Sequence, residues 1–328
     1  MTRGVVIHET GGPEVMKLEP SDPGGAGATS LRIRVTASGV NFIDVYFRTG
    51  LYPRPLPFTQ GLEGAGVVEA VGEDVDAFAV GDRVAWSGVP GSYAEALVAP
   101  ADQVVSIPDT VSDESAAAAM LQGMTAHYLT HATRQTRPGD RVLVHAAAGG
   151  VGLLLIQMLK AAGALVIGTC SSDEKAALAR SMGADEVIRY DQSPFSEEVM
   201  RITAGEGLDV VYDSVGKSTF EGSLRCLRPR GLLCLYGQSS GPVPPFEINR
   251  LNGMGSLFLT RPSLAHYTRD RAEFELRANA VLRAVASGDL EVRIGARFPL
   301  EEAADAHRAL EARRTTGKVL LLPGDQTD

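Results

Sequence analysis

One run of six residues constrains this chain more than any other: Ala147-Ala148-Gly149-Gly150-Val151-Gly152. It follows an apolar strand candidate, Arg141 to Ala146, and opens a helix candidate, Val151 to Ala162. A strand, a tight glycine turn and a helix in that order make half of a parallel βαβ unit. The glycines let the backbone come close to a bound group. The helix N-terminus presents free N–H groups and the positive end of its dipole to an anion. The run is read as a dinucleotide fingerprint with Ala147 in the first glycine place, and Gly149, Gly150, Val151 and Gly152 as the pyrophosphate contacts. A strand–helix turn without a ligand is the alternative. The apolar stretch Val142 to Leu159 approaches the length of a membrane span, but its internal Ala-Ala-Ala-Gly-Gly divides it into a strand and a helix.

The surroundings agree. Up to about residue 110 the chain reads as short strands and turns: Leu31, Ile33 and Val35 alternate with Arg32, Arg34 and Thr36, the period of a half-buried strand. Ser112 can cap a helix whose first turn carries Asp113 and Glu114. From there strands (141–146, 165–169, 186–190, 209–212, 232–236) alternate with helices (151–162, 174–182, 195–203, 219–227). The pattern predicts a parallel sheet covered on both faces. A helix over 270–287 follows, then strands over 290–294 and 318–322 flanking a helix over 300–313. This tail is expected to return to the first domain.

Composition narrows the function. Lys and Arg total 31 against 40 Asp and Glu, a formal charge of -9, the wrong balance for a protein that displaces counterions from nucleic acid. Cys170, Cys226 and Cys234 show no paired spacing and fit a reducing, cytoplasmic setting. The N-terminal MTRGVVIHET has no long apolar segment of a secretory signal.

The cofactor choice is read one strand further on. An acidic residue about 20 positions after the glycines would bond a ribose 2′-hydroxyl. That place holds Cys170 and Ser171, with Lys175 one helical turn beyond. A hydroxyl and an ammonium suit a 2′-phosphate, which points to NADPH, although Asp173 and Glu174 lie close by.

These residues, with Asn41-Phe42-Ile43-Asp44-Val45-Tyr46, Gly50-Leu51-Tyr52-Pro53, His145-Ala146, Tyr212-Asp213-Ser214-Val215-Gly216 and Thr260-Arg261-Pro262-Ser263, resemble the zinc-independent quinone oxidoreductases (ζ-crystallin-like) of the medium-chain dehydrogenase/reductase superfamily. The resemblance covers nearly the whole chain. It implies an α/β fold: a GroES-like β-rich catalytic domain over 1–123 and 289–328, and a doubly wound Rossmann domain over 124–288. It implies a homodimer joined through the Rossmann sheets. It also implies NADPH contacts at Asn41, Gly152, Ser171, Lys175, Tyr190, Ser239 and Arg313. In the segment Gly237-Gln238-Ser239-Ser240, Gln238 stands where relatives often have Asn and joins the cofactor contacts.

Zinc-containing members of the superfamily carry a cysteine and a Gly-His-Glu segment. Here Ser38 and Gly61-Leu62-Glu63 stand in those neighbourhoods, and no cysteine precedes residue 170. No tetrahedral set of nitrogen and sulfur ligands is found, so no metal is expected. Without a Lewis acid the acceptor must already be electrophilic, as a quinone or an α,β-unsaturated carbonyl is. Tyr46, Tyr52 and Arg261 are the candidate donors to the acceptor oxygen, Tyr46 first. Asp44 is read as a turn cap and His145 as a structural core residue. An NADPH-dependent enone or alkenal reductase is the alternative within the enzyme class. A non-catalytic NADPH-sensing or RNA-binding protein is the alternative outside it.

Overall fold

The computed structural model describes residues 2–324. It divides into two compact units: one holds the residues up to Met124 with those from Thr268 onward, the other Thr125–Tyr267.

The first unit is built on a seven-stranded sheet ordered Ile294–Pro299, Lys318–Leu322, Ser30–Val40, Glu63–Val71, Arg83–Ser87, Val104–Ser106, with Ala96–Pro100 also paired to Ser30–Val40. The alternation read at 31–36 is real. Leu31, Ile33 and Val35 are buried and pack with Val68, Val84, Trp86 and Leu97. A three-stranded antiparallel sheet, Met16–Pro20 with Arg3–Ile7 and Phe58–Thr59, lies over a second core. There Val5, Ile7, Val40 and Tyr93 meet Leu300, Ala306 and Leu321 from the tail. Val319 to Leu321 pair antiparallel with Val40 to Ser38, so the tail does return to this unit.

Two local expectations change. Residues Phe42–Arg48 form a helix inside the stretch read as strands and turns. The strand expected over 290–294 is Ile294–Pro299. Leu290 instead closes the end of the preceding helix, its N–H bonded to Ala284 O. That helix, Arg271–Ser287, is capped by Asp270 and stopped at Gly288 with φ +82°. In the division above it falls in the first unit. Arg271 Nη1 donates to Ala101 O and Val104 O at 3.0 and 2.6 Å. A side chain at Gly123 would press on Val281, at 2.6 Å.

The second unit is a six-stranded, wholly parallel sheet in the order Glu186–Arg189, Leu165–Cys170, Arg141–Val144, Leu208–Asp213, Leu227–Leu235, Phe258–Thr260. The order reverses beside Arg141–Val144. This is the doubly wound arrangement in which ligands meet the carboxyl ends of the strands. Its core holds Leu143, Ile167, Val199, Val211, Phe220, Leu224 and Leu233. Cys170, Cys226 and Cys234 are all buried and free. Burial pushes each thiol up, that of Cys226 to about 12. Among the described residues no helix is long and apolar enough to cross a membrane.

Candidate functional site

The glycine run lies where the sheet order reverses. The chain leaves Val144 and passes through Ala146, which adopts φ +51°. Few residues with a side chain do so, and it marks this turn as conformationally demanding. Gly149 N closes the turn on Ala146 O at 2.8 Å, and Ala147 N reaches Thr169 O at 3.0 Å. The helix Gly150–Ala161 begins at Gly149 with no side-chain cap. Its first N–H groups are therefore left to solvent or a ligand. At Gly152 a Cβ would stand 2.4 Å from Ala146 O and 2.8 Å from Ala147 O. Only glycine lets this helix come so close to the loop. The cradle fits a pyrophosphate: close backbone approach, uncapped N–H groups and a helix dipole.

Three strand ends meet around this loop through one imidazole. His145 Nδ1 lies 2.9 Å from Thr169 Oγ1, and Nε2 lies 3.0 Å from Ser223 Oγ. Ser223 Oγ donates to Asp213 Oδ2 at 2.9 Å. With the serine proton so used, Nε2 must be the donor to Ser223, and Nδ1 accepts from Thr169. The ring is neutral, and burial holds its pKa below the usual histidine value. The other oxygen of Asp213 accepts from Val215 N, Gly216 N and Thr219 Oγ1 at 2.8, 3.0 and 2.9 Å. Asp213 thereby shapes the turn after Leu208–Asp213. That turn packs on the loop bearing Gln238 and Ser239: a Cβ at Gly237 would meet Ser214 O at 2.6 Å, and Ser239 N donates to Ser214 O at 3.1 Å. Sequence reading took His145 for a core residue and left Ser223 and Thr169 unremarked.

At the next strand end Ser172 caps the helix Asp173–Ser181 by accepting from Lys175 N at 3.2 Å. Ser171, half-buried, sits between Cys170 and this cap. Tyr190 N donates to Cys170 O at 3.2 Å, which brings Tyr190 beside Ser171 in the adjacent loop. The backbones of Ser171, Lys175 and Tyr190 thus lie near one another at these two strand ends, and Gln238 and Ser239 adjoin on one loop. Arg261 is exposed just after Phe258–Thr260, with Nη1 on Pro262 O at 3.2 Å.

The remaining sequence-predicted residues lie in the first unit. Tyr46 and Tyr52 are neighbours, with ring centroids 5.2 Å apart and Phe47 against Tyr52 at 5.9 Å. Arg313 is exposed at the end of the helix Ala303–Glu311, with φ +56°. Asn41 is buried among several polar partners. Its Nδ2 donates to Glu63 Oε2 at 2.7 Å and Gly39 O at 3.3 Å. Its Oδ1 accepts from Lys318 Nζ at 2.9 Å and Gln122 Nε2 at 3.3 Å. Both donors and both acceptor positions of the amide are committed inside the protein.

Glu63 also accepts from Leu121 N and pairs with Lys318, and both members of that ion pair are buried. Ser38 Oγ donates to Ser92 O. Below them runs a second polar chain. Arg48 Nη1 donates to His307 Nδ1 at 2.9 Å, and His307 Nε2 lies 3.3 Å from Tyr93 Oη. Tyr93 Oη donates to Asp44 Oδ2 at 2.8 Å, and Asp44 Oδ2 caps Asn41 N at 2.9 Å, as a turn cap should. Burial pushes Asp44 up to about 7 and His307 down to about 3. Among the described residues no group of three or more His, Cys, Asp or Glu is arranged to hold a metal ion.

Comparison with known proteins finds two family matches along the chain. Residues 27–109 match the alcohol dehydrogenase GroES-like domain, and residues 150–276 match the zinc-binding dehydrogenase family. A quinone oxidoreductase of Pseudomonas aeruginosa is 46% identical over 98% of this chain and 100% of its own length. A 2-haloacrylate reductase of Burkholderia sp. is 44% identical over 98% of this chain and 99% of its own. The structure of Escherichia coli quinone oxidoreductase complexed with NADPH superposes with a TM-score of 0.96 at 41% identity, covering 98% of this chain and 100% of that one.

Proposed function

The chain belongs to the quinone oxidoreductases of the medium-chain dehydrogenase/reductase superfamily, and from that premise we propose that it is an NADPH-dependent quinone reductase that works without a metal. The observation that carries the reading is the helix Gly150–Ala161 at the reversal of the parallel sheet: its N-terminus has no side-chain cap, and Gly152 lets it lie close against the glycine loop. When bound, NADPH supplies a hydride to the acceptor. The chain's own residues bind and orient. Gly150, Val151 and Gly152 take the pyrophosphate on uncapped N–H groups, and Gly149 closes the turn that brings it to them. Ser171, Lys175 and Tyr190 take the 2′-phosphate. Gln238 and Ser239 line the nicotinamide side, on a loop that Asp213 and His145 hold in place through Ser223. Arg313 contributes a charge to the cofactor. Tyr46 Oη, with Tyr52 and Arg261 as further donors, stabilises the charge that grows on the acceptor oxygen and delivers a proton to it.

The metal-free reading rests on the residues themselves. Lys318 places an ammonium against Glu63, where a second cation would meet a charge of its own sign. A cytoplasmic setting suits three reduced cysteines. A homodimer through the parallel sheets is part of the proposal. It is supported by the outer strand Phe258–Thr260, whose Phe258 is 60% exposed.

A second reading, reduction of a conjugated carbonyl, is favoured by the likeness to 2-haloacrylate reductase. One experiment separates the two. Loss of NADPH absorbance is followed with 1,4-naphthoquinone and with a simple enone, repeated with NADH and after chelator treatment. Turnover of the quinone that prefers NADPH and survives the chelator is the expected result. Turnover of the enone alone replaces the first reading by the second, and loss of turnover with the chelator overturns the metal-free mechanism.

A further inference from the structure

We propose that Arg189 is a specificity-determining residue: it withdraws two carboxylates from the 2′-phosphate subsite and so sets the preference for a 2′-phosphorylated nucleotide. The inference rests on the assignment of Ser171 and Lys175 to that phosphate.

Arg189 ends the strand next to Leu165–Cys170 and pairs in register with Cys170, the residue before Ser171. Its guanidinium takes Asp191 with two hydrogen bonds, Nε to Oδ1 at 2.8 Å and Nη2 to Oδ2 at 2.7 Å. Its remaining arm, Nη1, bonds Asp173 Oδ1. Asp173 is the first residue of the helix that also carries Lys175, and its side chain is 93% exposed. A phosphate held by Ser171 and Lys175 would carry nearly two negative charges. It would lie within a helical turn of Asp173, with Asp191 next to Tyr190 in the adjacent loop. With Arg189 in place, two cations balance two carboxylates. Without it, both carboxylates lose the cation that holds them. Of the nearby arginines, Arg201 pairs with Glu198, and among the described residues Arg180 bonds only the neutral Val187 O and forms no ion pair with Asp173 or Asp191. Glu174, exposed next to Asp173, adds further negative charge.

The effect depends on whether the ligand bears the 2′-phosphate, so it can be read without turnover. Calorimetry on the cofactor-free protein would compare adenosine 2′,5′-bisphosphate with 5′-AMP. Replacing Arg189→Gln is expected to weaken the bisphosphate about tenfold while leaving 5′-AMP within about twofold, the scale of one screened charge pair. Adding Asp173→Asn and Asp191→Asn to that variant is expected to restore the bisphosphate. Equal weakening of both ligands would mean that Arg189 only holds the fold locally, and would overturn the inference. A triple variant that stays weak would mean that Arg189 touches the phosphate directly, and would overturn it too. A bisphosphate preference that survives Arg189→Gln overturns this inference and leaves the NADPH assignment standing. A wild-type protein that prefers 5′-AMP overturns both.

Discussion

Lys318 Nζ donates to Asn41 Oδ1 at 2.9 Å and in doing so decides which way round that buried amide sits. The ammonium faces Glu63 at the same time, and both charges are shielded from water. Burial pulls Lys318 below the usual lysine range, and Glu63 opposes that pull. Removing one partner strands the other. Lys318→Met is expected to destabilise the protein by about 3–5 kcal/mol in urea unfolding, because Glu63 is left charged and unpaired. The double variant Glu63→Gln with Lys318→Met should recover much of the loss. A Lys318→Met protein as stable as the parent would show that the pair contributes nothing to holding Asn41.

Two groups in the neighbouring polar chain should oppose each other as pH changes. Asp44 is raised from 3.8 to about 7, so the folded state holds its proton longer than the unfolded chain. Its contribution is complete below about pH 4 and is lost as pH rises towards 7. His307 is depressed from 6.5 to about 3, so its contribution is present above the unfolded value and is lost as pH falls from 6.5 towards 3. The wild type should therefore show a shallow profile across this interval. Asp44→Asn should leave a stability that climbs with pH, and His307→Gln one that declines. Urea midpoints measured across the interval check both signs, and matching slopes in the two variants would contradict the assignment.

Gly152→Ala tests the cradle. Its methyl group would press on two backbone oxygens that cannot swing aside. The expected cost is about 1–3 kcal/mol of strain, with nucleotide binding weakened by at least about tenfold. A nucleotide titration alongside a melting curve separates the two effects. Normal affinity in the variant would show that the helix need not approach the loop so closely.

Tyr46→Phe removes one hydroxyl and keeps the ring against Tyr52. If Tyr46 Oη is the main donor, kcat/KM for the quinone should fall about a hundredfold, with NADPH affinity unchanged. An unaltered kcat/KM would shift the role to Tyr52 or Arg261, whose single variants are the natural companions.

What could be read from sequence was what is encoded locally. The glycine run, the strand before it and the helix after it form one contiguous signal, and the parallel alternation around it fixed the sheet. The helix Phe42–Arg48 escaped because seven residues carry too little periodicity. It is held instead by partners far along the chain, such as His307, 259 residues beyond Arg48. The commitment of Asn41 depends on Lys318, 277 residues away, which no spacing rule connects to it. His145 looked like filler in a strand until Ser223, 78 residues on, supplied the acceptor for its N–H. The strand placed at 290–294 failed differently. Leu290 is apolar enough to be taken for a strand residue, yet it is used to finish a helix.

The three cysteines bear on how such a protein survives its own chemistry. Quinones and conjugated carbonyls alkylate thiolates, so a protein that turns them over is exposed to self-inactivation. Here all three sulfurs are buried and kept protonated, their acidity lowered by the apolar interior. The packing of the core thus keeps all three cysteine sulfurs away from a soft electrophile in the folded chain.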